Sequence, residues 1–336
     1  MTFDCPGFFD LQVNGFAGVD FNDPAASPDG IARALDAMQS TGVTRCLPTF
    51  ITSPLDEFTG CAKVLLRCGH PAIAGVHMEG PYISPEDGPR GAHRRAHVVP
   101  GTIDDFRRRQ EACEGLIKLV TLAPEIAGAI PLIEHLVGSG VRVAIGHSAA
   151  STDQIADAVK AGATLATHLG NGCAQMLPRH PNAIWELLAA DSVHASLIVD
   201  GHHLPAATVK AMVRAKGQDR TILVTDAIAA AGCPPGPFRL GEVDCVLGDD
   251  GRVSLPGTPY LAGSALTMDK AVQNTVRFSG VSLEDAVAMA STIPARFIGE
   301  TPVGTITAAW SVERLELRIL SVRSDGAAPE SAKALK

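Results

Sequence analysis

The chain alternates between short apolar runs and amphipathic stretches. The runs are continuous and rich in β-branched residues, which is typical of parallel strands covered on both faces. Eight such runs occur, at 7–15, 44–52, 73–81, 117–125, 141–149, 165–172, 195–201 and 222–229. We therefore predict eight parallel strands, each followed by a segment that covers the sheet.

The amphipathic stretches between the runs have helix signals. The stretch at 151–163 opens with Ser151, Thr152 and Asp153, which are favoured N-cap types, and several stretches end at glycine. Eight strand–helix units in roughly 270 residues fit a (β/α)8 barrel of the α/β class. A doubly wound open sheet is the alternative, but no G-x-G-x-x-G string follows the first run.

Two segments and the end of the chain depart from this repeat. Residues 82–112 form a connection too long for a simple loop, and such loops are usually functional. Residues 237–256 predict an inserted β-hairpin turned at 249–251. We expect a barrel at 1–300 and a C-terminal tail at 301–336, with a frayed end after about residue 325.

The charge and composition of the chain exclude some classes of binding partner. The net charge is -8 and no basic run is present, which argues against nucleic acid. No apolar stretch approaches the ~20 residues of a membrane span, and the first residues lack the pattern of a signal peptide. Eight cysteines without a C-x-x-C pair are typical of buried reduced thiols in a cytoplasmic protein. A small molecule is therefore the expected partner.

Four residues with chemical function come at the ends of predicted strands. Glu79, His147, His168 and Asp226 end the third, fifth, sixth and eighth runs. In a barrel these ends meet at the C-terminal mouth, where active sites lie. One carboxylate and two imidazoles suit a catalytic metal ion, and a further carboxylate suits a general base. A lone histidine at a strand end is usually only a satisfied polar residue, but four such residues at one mouth favour a metal centre.

The first run ends differently from that of many metal-dependent hydrolases. Those enzymes have His-x-His at this step, whereas this chain has Gln12 and Asn14. The two amides could simply fill the barrel mouth with polar groups, or they could orient neighbouring groups by hydrogen bonds.

Several strings together resemble one family. They are "PGFFDLQVNGFAGVDFND", "LPTFITSP", "GVHMEGPYIS", "RGAH", "IGHSAAS", "THLGNG", "DGHHL", "LVTDAIAAAG" and "LAGSALTMDKAVQN". In this order they are similar to the N-acetylglucosamine-6-phosphate deacetylases of the amidohydrolase superfamily, from Pro6 to about Gly304. That family hydrolyses the acetamide of an amino-sugar phosphate to acetate and a free amine.

The resemblance implies a role for each matching residue. It makes Glu79, His147 and His168 the metal ligands, Asp226 the general base that acts on the metal-activated water, and His93 a residue that polarises the acyl carbonyl. Substrate contacts fall on Asn171, Gly172, Arg179, His203, Ala262 and Gly263. Family members with the Gln-x-Asn step of Gln12 and Asn14 carry one divalent ion per chain; zinc is the first choice, with iron, cobalt or manganese as alternatives. In that family the residue matching Arg179 can reach a neighbouring subunit, which favours a homodimer.

The chain also departs from the family. The usual H-L-[FY]-N-A-M string reads "HLGNGCAQM" here, so Gly170 replaces an aromatic residue, while Gly172 and Cys173 replace Ala and Met. We expect a more flexible loop beside the phosphate site. The small β-sandwich that accompanies the family's barrel is expected to be missing or vestigial. Two alternatives follow: an amidohydrolase of another N-acyl sugar, and a non-catalytic sugar-binding protein, against which the retained Asp226 counts.

Overall fold

The computed structural model describes residues 1–258 and 260–324, and the end predicted to be frayed lies outside them. The strands in these residues are β1 Thr2–Pro6, β2 Phe8–Val13, β3 Gly15–Phe16, β4 Val19–Asp20, β5 Val43–Phe50, β6 Val76–Glu79, β7 Ile117–Leu122, β8 Arg142–Ile145, β9 Leu165–Ala166, β10 His194–Leu197, β11 Thr221–Leu223, β12 Gly236–Leu240, β13 Val243–Leu247, β14 Val253–Ser254, β15 Thr305–Ser311 and β16 Glu316–Arg323. The helices are α1 Pro28–Gln39, α2 Leu55–Cys68, α3 Ile103–Ala112, α4 Ala129–Gly138, α5 Thr152–Lys160, α6 Ala183–Ala189, α7 Ala206–Lys216, α8 Met268–Ser279, α9 Leu283–Ala290 and α10 Thr292–Ile298.

Eight parallel strands form a nearly closed barrel. Their order around the sheet follows the chain, from β2 through β5, β6, β7, β8, β9 and β10 to β11. A parallel bridge joins Val13 to Ala227, and the Asp226 N–H donates to Gln12 O at 2.9 Å, so the two ends of the sheet meet. Every predicted run overlaps one barrel strand. This confirms the (β/α)8 prediction and excludes the doubly wound alternative, because strand order there does not follow the chain.

The burial pattern explains why the runs were continuous. All six residues of β2 are buried, because one face of the strand packs inside the barrel and the other under the helices. The helices cover the barrel with one apolar stripe each; in α1 the stripe is Ile31, Ala34, Leu35 and Met38. Ser151 caps α5 through a capping box with Gln154, as its residue type predicted.

The inserted segment at 236–254 is a three-stranded sheet. β12 pairs with β13 and β13 with β14, both antiparallel. β13 and β14 form the predicted hairpin turned at 249–251, and β12 adds a third strand through an unpredicted turn at Gly241 and Glu242. Likewise α3 occupies the last ten residues of the predicted long loop at 82–112. The irregular connection therefore ends before Ile103.

The two ends of the described chain pair with each other. β1 lies antiparallel to β15, and β15 lies antiparallel to β16, in a separate three-stranded sheet. β1 departs from the prediction, which places its residues in the barrel. The division of the chain near residue 300 remains a prediction. In the described ranges, no helix has both the length and the apolar character needed to cross a membrane.

Candidate metal centre and active site

Three predicted ligands converge at the C-terminal mouth of the barrel. Glu79 is the last residue of β6, and His147 and His168 lie two residues beyond β8 and β9. Their ligand atoms all lie within 4.8 Å of one another. Glu79 Oε1 is 3.2 Å from His147 Nε2 and 3.0 Å from His168 Nε2, and the two nitrogens are 3.1 Å apart. All three residues are buried, so the centre is a closed donor set and not an exposed acidic patch.

The electrostatics of this cluster fit a cation. Burial raises the pKa of Glu79, but hydrogen bonds and charges of the two histidines outweigh burial and hold that pKa well below its ordinary value. Burial lowers the pKa of His168, yet its contact with Glu79 raises it overall. The carboxylate thus draws positive charge into the cluster, and a divalent ion supplies such charge to all three donor atoms.

The ring of His147 is oriented as a ligand requires. Its Nδ1 lies 3.0 Å from Pro89 O, which can only accept, so Nδ1 carries the proton and Nε2 presents a lone pair to the cluster. Two glycines allow the backbone to approach this ring: an ideal Cβ on Gly91 would lie 3.2 Å from His147 Cε1, and one on Gly172 would lie 2.9 Å from His147 Nδ1. The loops that carry these glycines therefore both pack close to the Cε1–Nδ1 edge of His147.

The backbone is strained at three of the site residues. His147, His168 and Asp226 have φ values of 50°, 30° and 48°, a region that residues other than glycine rarely adopt. Such strain costs of order 1–3 kcal/mol and persists where the surrounding structure enforces it. Each residue turns its strand end toward the barrel mouth, so the strain accompanies convergence of the side chains.

Asp226 is tied to the cluster by the two amides of β2. Asn14 Nδ2 donates to Asp226 Oδ1 at 2.7 Å, and Gln12 Nε2 donates to the same oxygen at 3.2 Å. Gln12 Nε2 also donates to Glu79 Oε1 at 2.8 Å. Burial and the nearby charge of Glu79 raise the pKa of Asp226 to about 6. The amides therefore hold a carboxylate beside the three predicted ligands and keep it in hydrogen-bond contact.

His93 is a further imidazole that lies against the cluster. Its Nε2 is 3.2 Å from His147 Nε2 and 3.9 Å from Glu79 Oε2. The Thr52 N–H donates to His93 Nδ1 at 3.4 Å, so Nδ1 is the acceptor and Nε2 carries the proton. Burial, followed by the charge of His147, lowers the pKa of His93 to about 3. His93 is therefore a neutral imidazole that presents an N–H to the centre.

The remaining predicted residues contribute no donor atom to the three-residue cluster. Asn171 Nδ2 donates to His168 O at 3.2 Å, next to Gly172. Ala262 is buried within the small apolar group that includes residues of β12, β13 and β14. Gly263 has φ of 66°, and a Cβ there would lie 2.4 Å from Ile228 Cγ2. These glycines are sites of close backbone approach beside the mouth.

Arg179 and His203 have different environments. Arg179 is exposed in the connection between β9 and α6, and in residues 1–258 and 260–324 no hydrogen bond or ion pair joins its guanidinium to the cluster. His203 is nearly buried, and its Nδ1 lies 2.7 Å from Asp200 Oδ2. Within the described chain the structure brings His203, but not Arg179, next to a defined partner.

Three further carboxylates form hydrogen bonds near the site, and sequence reasoning missed them. Asp10 Oδ2 accepts from Thr225 Oγ1 at 2.5 Å, which fastens β2 to the residue before Asp226. Glu125 accepts from Ser148 Oγ at 2.8 Å and Ala149 N at 2.6 Å, just after His147. Asp200 is the third. Each lies within a predicted apolar run or at its end, and this position is the feature of the sequence that could have indicated a role for it.

Comparison with known proteins gives one consistent family. The sequence profile of the amidohydrolase family matches residues 4–310. The N-acetylglucosamine-6-phosphate deacetylase of Bos taurus is 37% identical over 320 residues, covering 90% of this chain and 76% of the relative. The N-acetylgalactosamine-6-phosphate deacetylase of Escherichia coli O157:H7 is 37% identical over 302 residues, covering 88% and 78%. A mutant N-acetyl-D-glucosamine-6-phosphate deacetylase from Mycobacterium smegmatis, solved with N-acetyl-D-glucosamine-6-phosphate, superposes with a TM-score of 0.87 at 31% identity, covering 96% and 86%.

Proposed function

Because the chain belongs to the amidohydrolase family, we propose that it hydrolyses the acetamide of N-acetyl-D-glucosamine 6-phosphate to glucosamine 6-phosphate and acetate. The observation that carries this proposal is the convergence of Glu79, His147 and His168 with the carboxylate of Asp226 at one mouth. The names of the relatives supply the substrate class, an N-acetylated amino-sugar phosphate.

The proposed cofactor is one divalent metal ion per chain, held by Glu79, His147 and His168. Zinc is our first choice, and iron, cobalt or manganese suit the same donor set. When bound, such an ion polarises the acyl carbonyl and acidifies a water molecule. The amides of Gln12 and Asn14 occupy the positions where a second ion would need imidazole ligands. They form hydrogen bonds to Glu79 and Asp226 instead.

The proposed chemistry assigns the proton movements to Asp226 and His93. Asp226 takes a proton from the attacking water and delivers it to the leaving nitrogen, because an amine anion is a poor leaving group. The neutral His93 donates its Nε2–H to the acyl oxygen as negative charge develops there. Thr52 holds the opposite ring nitrogen, so the donor stays directed at the centre.

Substrate binding is assigned to the residues around the mouth. Asn171, the Gly172 backbone, Arg179 and His203 contact the sugar phosphate, and Ala262 and Gly263 shape the sugar pocket. Arg179 is exposed, and Met176 and Trp185 in the same region have exposed fractions of 90% and 54%. These features support a homodimer in which Arg179 completes the neighbouring subunit's site. The eight free cysteines support a location in the reducing cytoplasm.

A second substrate has specific support. The deacetylase of N-acetylgalactosamine 6-phosphate from Escherichia coli O157:H7 is as similar in identity as the bovine enzyme. The two sugars differ in the configuration of one hydroxyl group, and a pocket that does not hydrogen-bond that hydroxyl discriminates weakly. An unphosphorylated N-acyl sugar is the other alternative, because the connection around Gly170 and Gly172 departs from the family.

The test is acetate release by the metal-loaded enzyme from N-acetylglucosamine 6-phosphate, N-acetylgalactosamine 6-phosphate and N-acetylglucosamine. We expect the highest kcat/KM on the first. Higher kcat/KM on the second would transfer the proposal to that sugar, and equal values with and without phosphate would reject a phosphorylated substrate. Metal-dependent turnover of any of them excludes a non-catalytic sugar-binding protein.

Arg179→Ala tests the phosphate contact. A hydrogen bond from a charged group contributes roughly 1.5–3 kcal/mol, so kcat/KM for the phosphorylated sugar should fall by about 10–150-fold. The unphosphorylated sugar should be unaffected, because it has nothing to pair with the guanidinium. Arg239→Ala, which removes an exposed arginine from β12, is the matched control and should change neither value. Equal losses on both sugars would make Arg179 a structural residue.

A further inference from the structure

A buried carboxylate–imidazole pair lies in the turn after β10. Asp200 Oδ2 is 2.7 Å from His203 Nδ1, and their side chains are 10% and 7% exposed. The chemistry assigned above uses His203 but gives no task to Asp200. Removing one partner of such a buried pair is costly because the other is left without compensation. The pair therefore fixes one geometry of the imidazole.

The turn itself is built around the same carboxylate. Asp200 Oδ1 accepts the backbone N–H groups of His202 and His203, both at 2.8 Å. Burial raises the pKa of Asp200, but the hydrogen bond and charge of His203 outweigh burial, and the pKa lies below its ordinary value. Asp200 is thus an ionised acceptor that binds the backbone with one oxygen and the ring with the other.

This arrangement determines which nitrogen of His203 carries a proton and which one is available to a ligand. An ionised carboxylate can only accept, so His203 Nδ1 carries a proton. No other described residue forms a hydrogen bond with His203 Nε2, which leaves that atom for a ligand. The ring lies near the proposed base: burial and Glu79 raise the pKa of Asp226, while the charges of His168 and His203 act in the opposite direction.

We infer that Asp200 is a positioning residue for recognition of the substrate's anionic group: it holds the Nδ1 proton of His203, so that Nε2 faces the phosphate. This inference rests on the proposed function. To donate to a phosphate from Nε2, the ring must take up a second proton from the solvent, and the Asp200 carboxylate compensates the resulting charge. His203 then donates a charge-assisted hydrogen bond, which is stronger than one between neutral groups.

Asp200→Asn tests the inference with little change in shape. The Asn oxygen can still accept the two backbone N–H groups, but its NH2 faces His203 Nδ1 as a donor. The Nδ1 atom must then accept, the proton moves to Nε2, and the ring stays neutral. We expect KM for the phosphorylated sugar to rise roughly 5–10-fold, the difference between a charge-assisted and a neutral hydrogen bond, with little change in kcat. Turnover of the unphosphorylated sugar should not change.

Nitrogen-15 NMR of the imidazoles gives a readout independent of activity. The His203 signals are assigned by their loss in His203→Gln, and Asp200→Asn should move the proton from Nδ1 to Nε2. Asp200→Glu, which keeps the negative acceptor, should restore part of the wild-type KM. His202→Gln is the matched control, because this exposed neighbour contacts Asp250 O at 3.2 Å and should leave KM and the His203 signals unchanged.

The inference would be overturned by an unchanged proton position on His203 in Asp200→Asn, or by equal losses on both sugars. Failure of the proposed function can be distinguished from failure of this inference, because the wild type would then show no preference for the phosphorylated sugar. In that case inorganic phosphate is titrated against the His203 signals. Weaker phosphate binding by Asp200→Asn than by wild type supports the inference, and equal or absent binding in both overturns it.

Discussion

Asp226→Asn is expected to lower kcat by about 10²–10⁴-fold, the usual cost of losing a general base. The amide has nearly the shape of the carboxylate, and its oxygen can still accept from Asn14 and Gln12 as Asp226 does. Asn also tolerates the φ of 48° at this position, which Ala would adopt only with strain. The change therefore removes proton transfer with little disturbance of the fold. Turnover and metal content of the same preparation are the measurements.

Two results would contradict this expectation. Near-normal turnover would remove Asp226 from the chemistry, and loss of the metal together with activity would make it a ligand and not a base. Asp20→Asn is the control: it likewise neutralises a carboxylate that accepts two hydrogen bonds, here from the backbone N–H groups of Asn22 at 2.8 Å and Gly241 at 2.6 Å, but Asp20 lies outside the cluster. We expect the control to keep both turnover and metal.

The barrel could be predicted because its signal is local. Each run is apolar throughout, since both faces of its strand are covered, and β2 with six buried residues is the clearest case. The ends of parallel strands meet at one mouth by topology alone, so Glu79, His147, His168 and Asp226 could be grouped without coordinates. The lengths of the strands were harder to predict from the sequence. The run at 165–172 contains only two strand residues, those of β9, because the chain turns at His168 with φ of 30°.

The features that sequence reasoning missed depend on distant or geometric partners. β1 becomes a strand by pairing with β15, about three hundred residues away, and no pattern within Thr2–Pro6 indicates that partner. Asp200 is a polar residue after an apolar run, and only the turn that folds back onto it reveals its bond to His203. Close approach of the backbone at Gly172 to His147 likewise requires the two loops to be placed.

The amides of β2 show how the site differs from one built with imidazoles. Gln12 Nε2 donates to both Glu79 Oε1 and Asp226 Oδ1, so a single neutral group joins a proposed ligand to the proposed base. Two carboxylates so close repel each other, and the charge of Glu79 adds to burial in raising the pKa of Asp226. The N–H donors of Gln12 and Asn14 reduce this electrostatic repulsion without a second metal ion. This arrangement favours one metal ion per chain.

Glu79→Gln is expected to weaken metal binding by at least about 100-fold, the upper end of the cost of losing a residue that only supports a ligand. The carboxylate is the single anionic donor of the three, and an amide oxygen is a poorer ligand without charge. Gln12 would then direct its NH2 at an amide that can also donate. We expect elemental analysis to give one equivalent of divalent metal in wild type and far less in the variant, with turnover falling in proportion.

Glu125→Gln is the matched control for that change, since Glu125 binds Ser148 and Ala149 beside His147 but contributes no atom to the cluster. It should retain one equivalent. Two equivalents in wild type would contradict the mononuclear centre, because the second ion would have to lie against Gln12 and Asn14. Retention of metal by Glu79→Gln would contradict the ligand set itself. Removal of the ion by a chelator should abolish turnover in wild type, and the same divalent ion should restore it, because the four residues then regain the charge around which they converge.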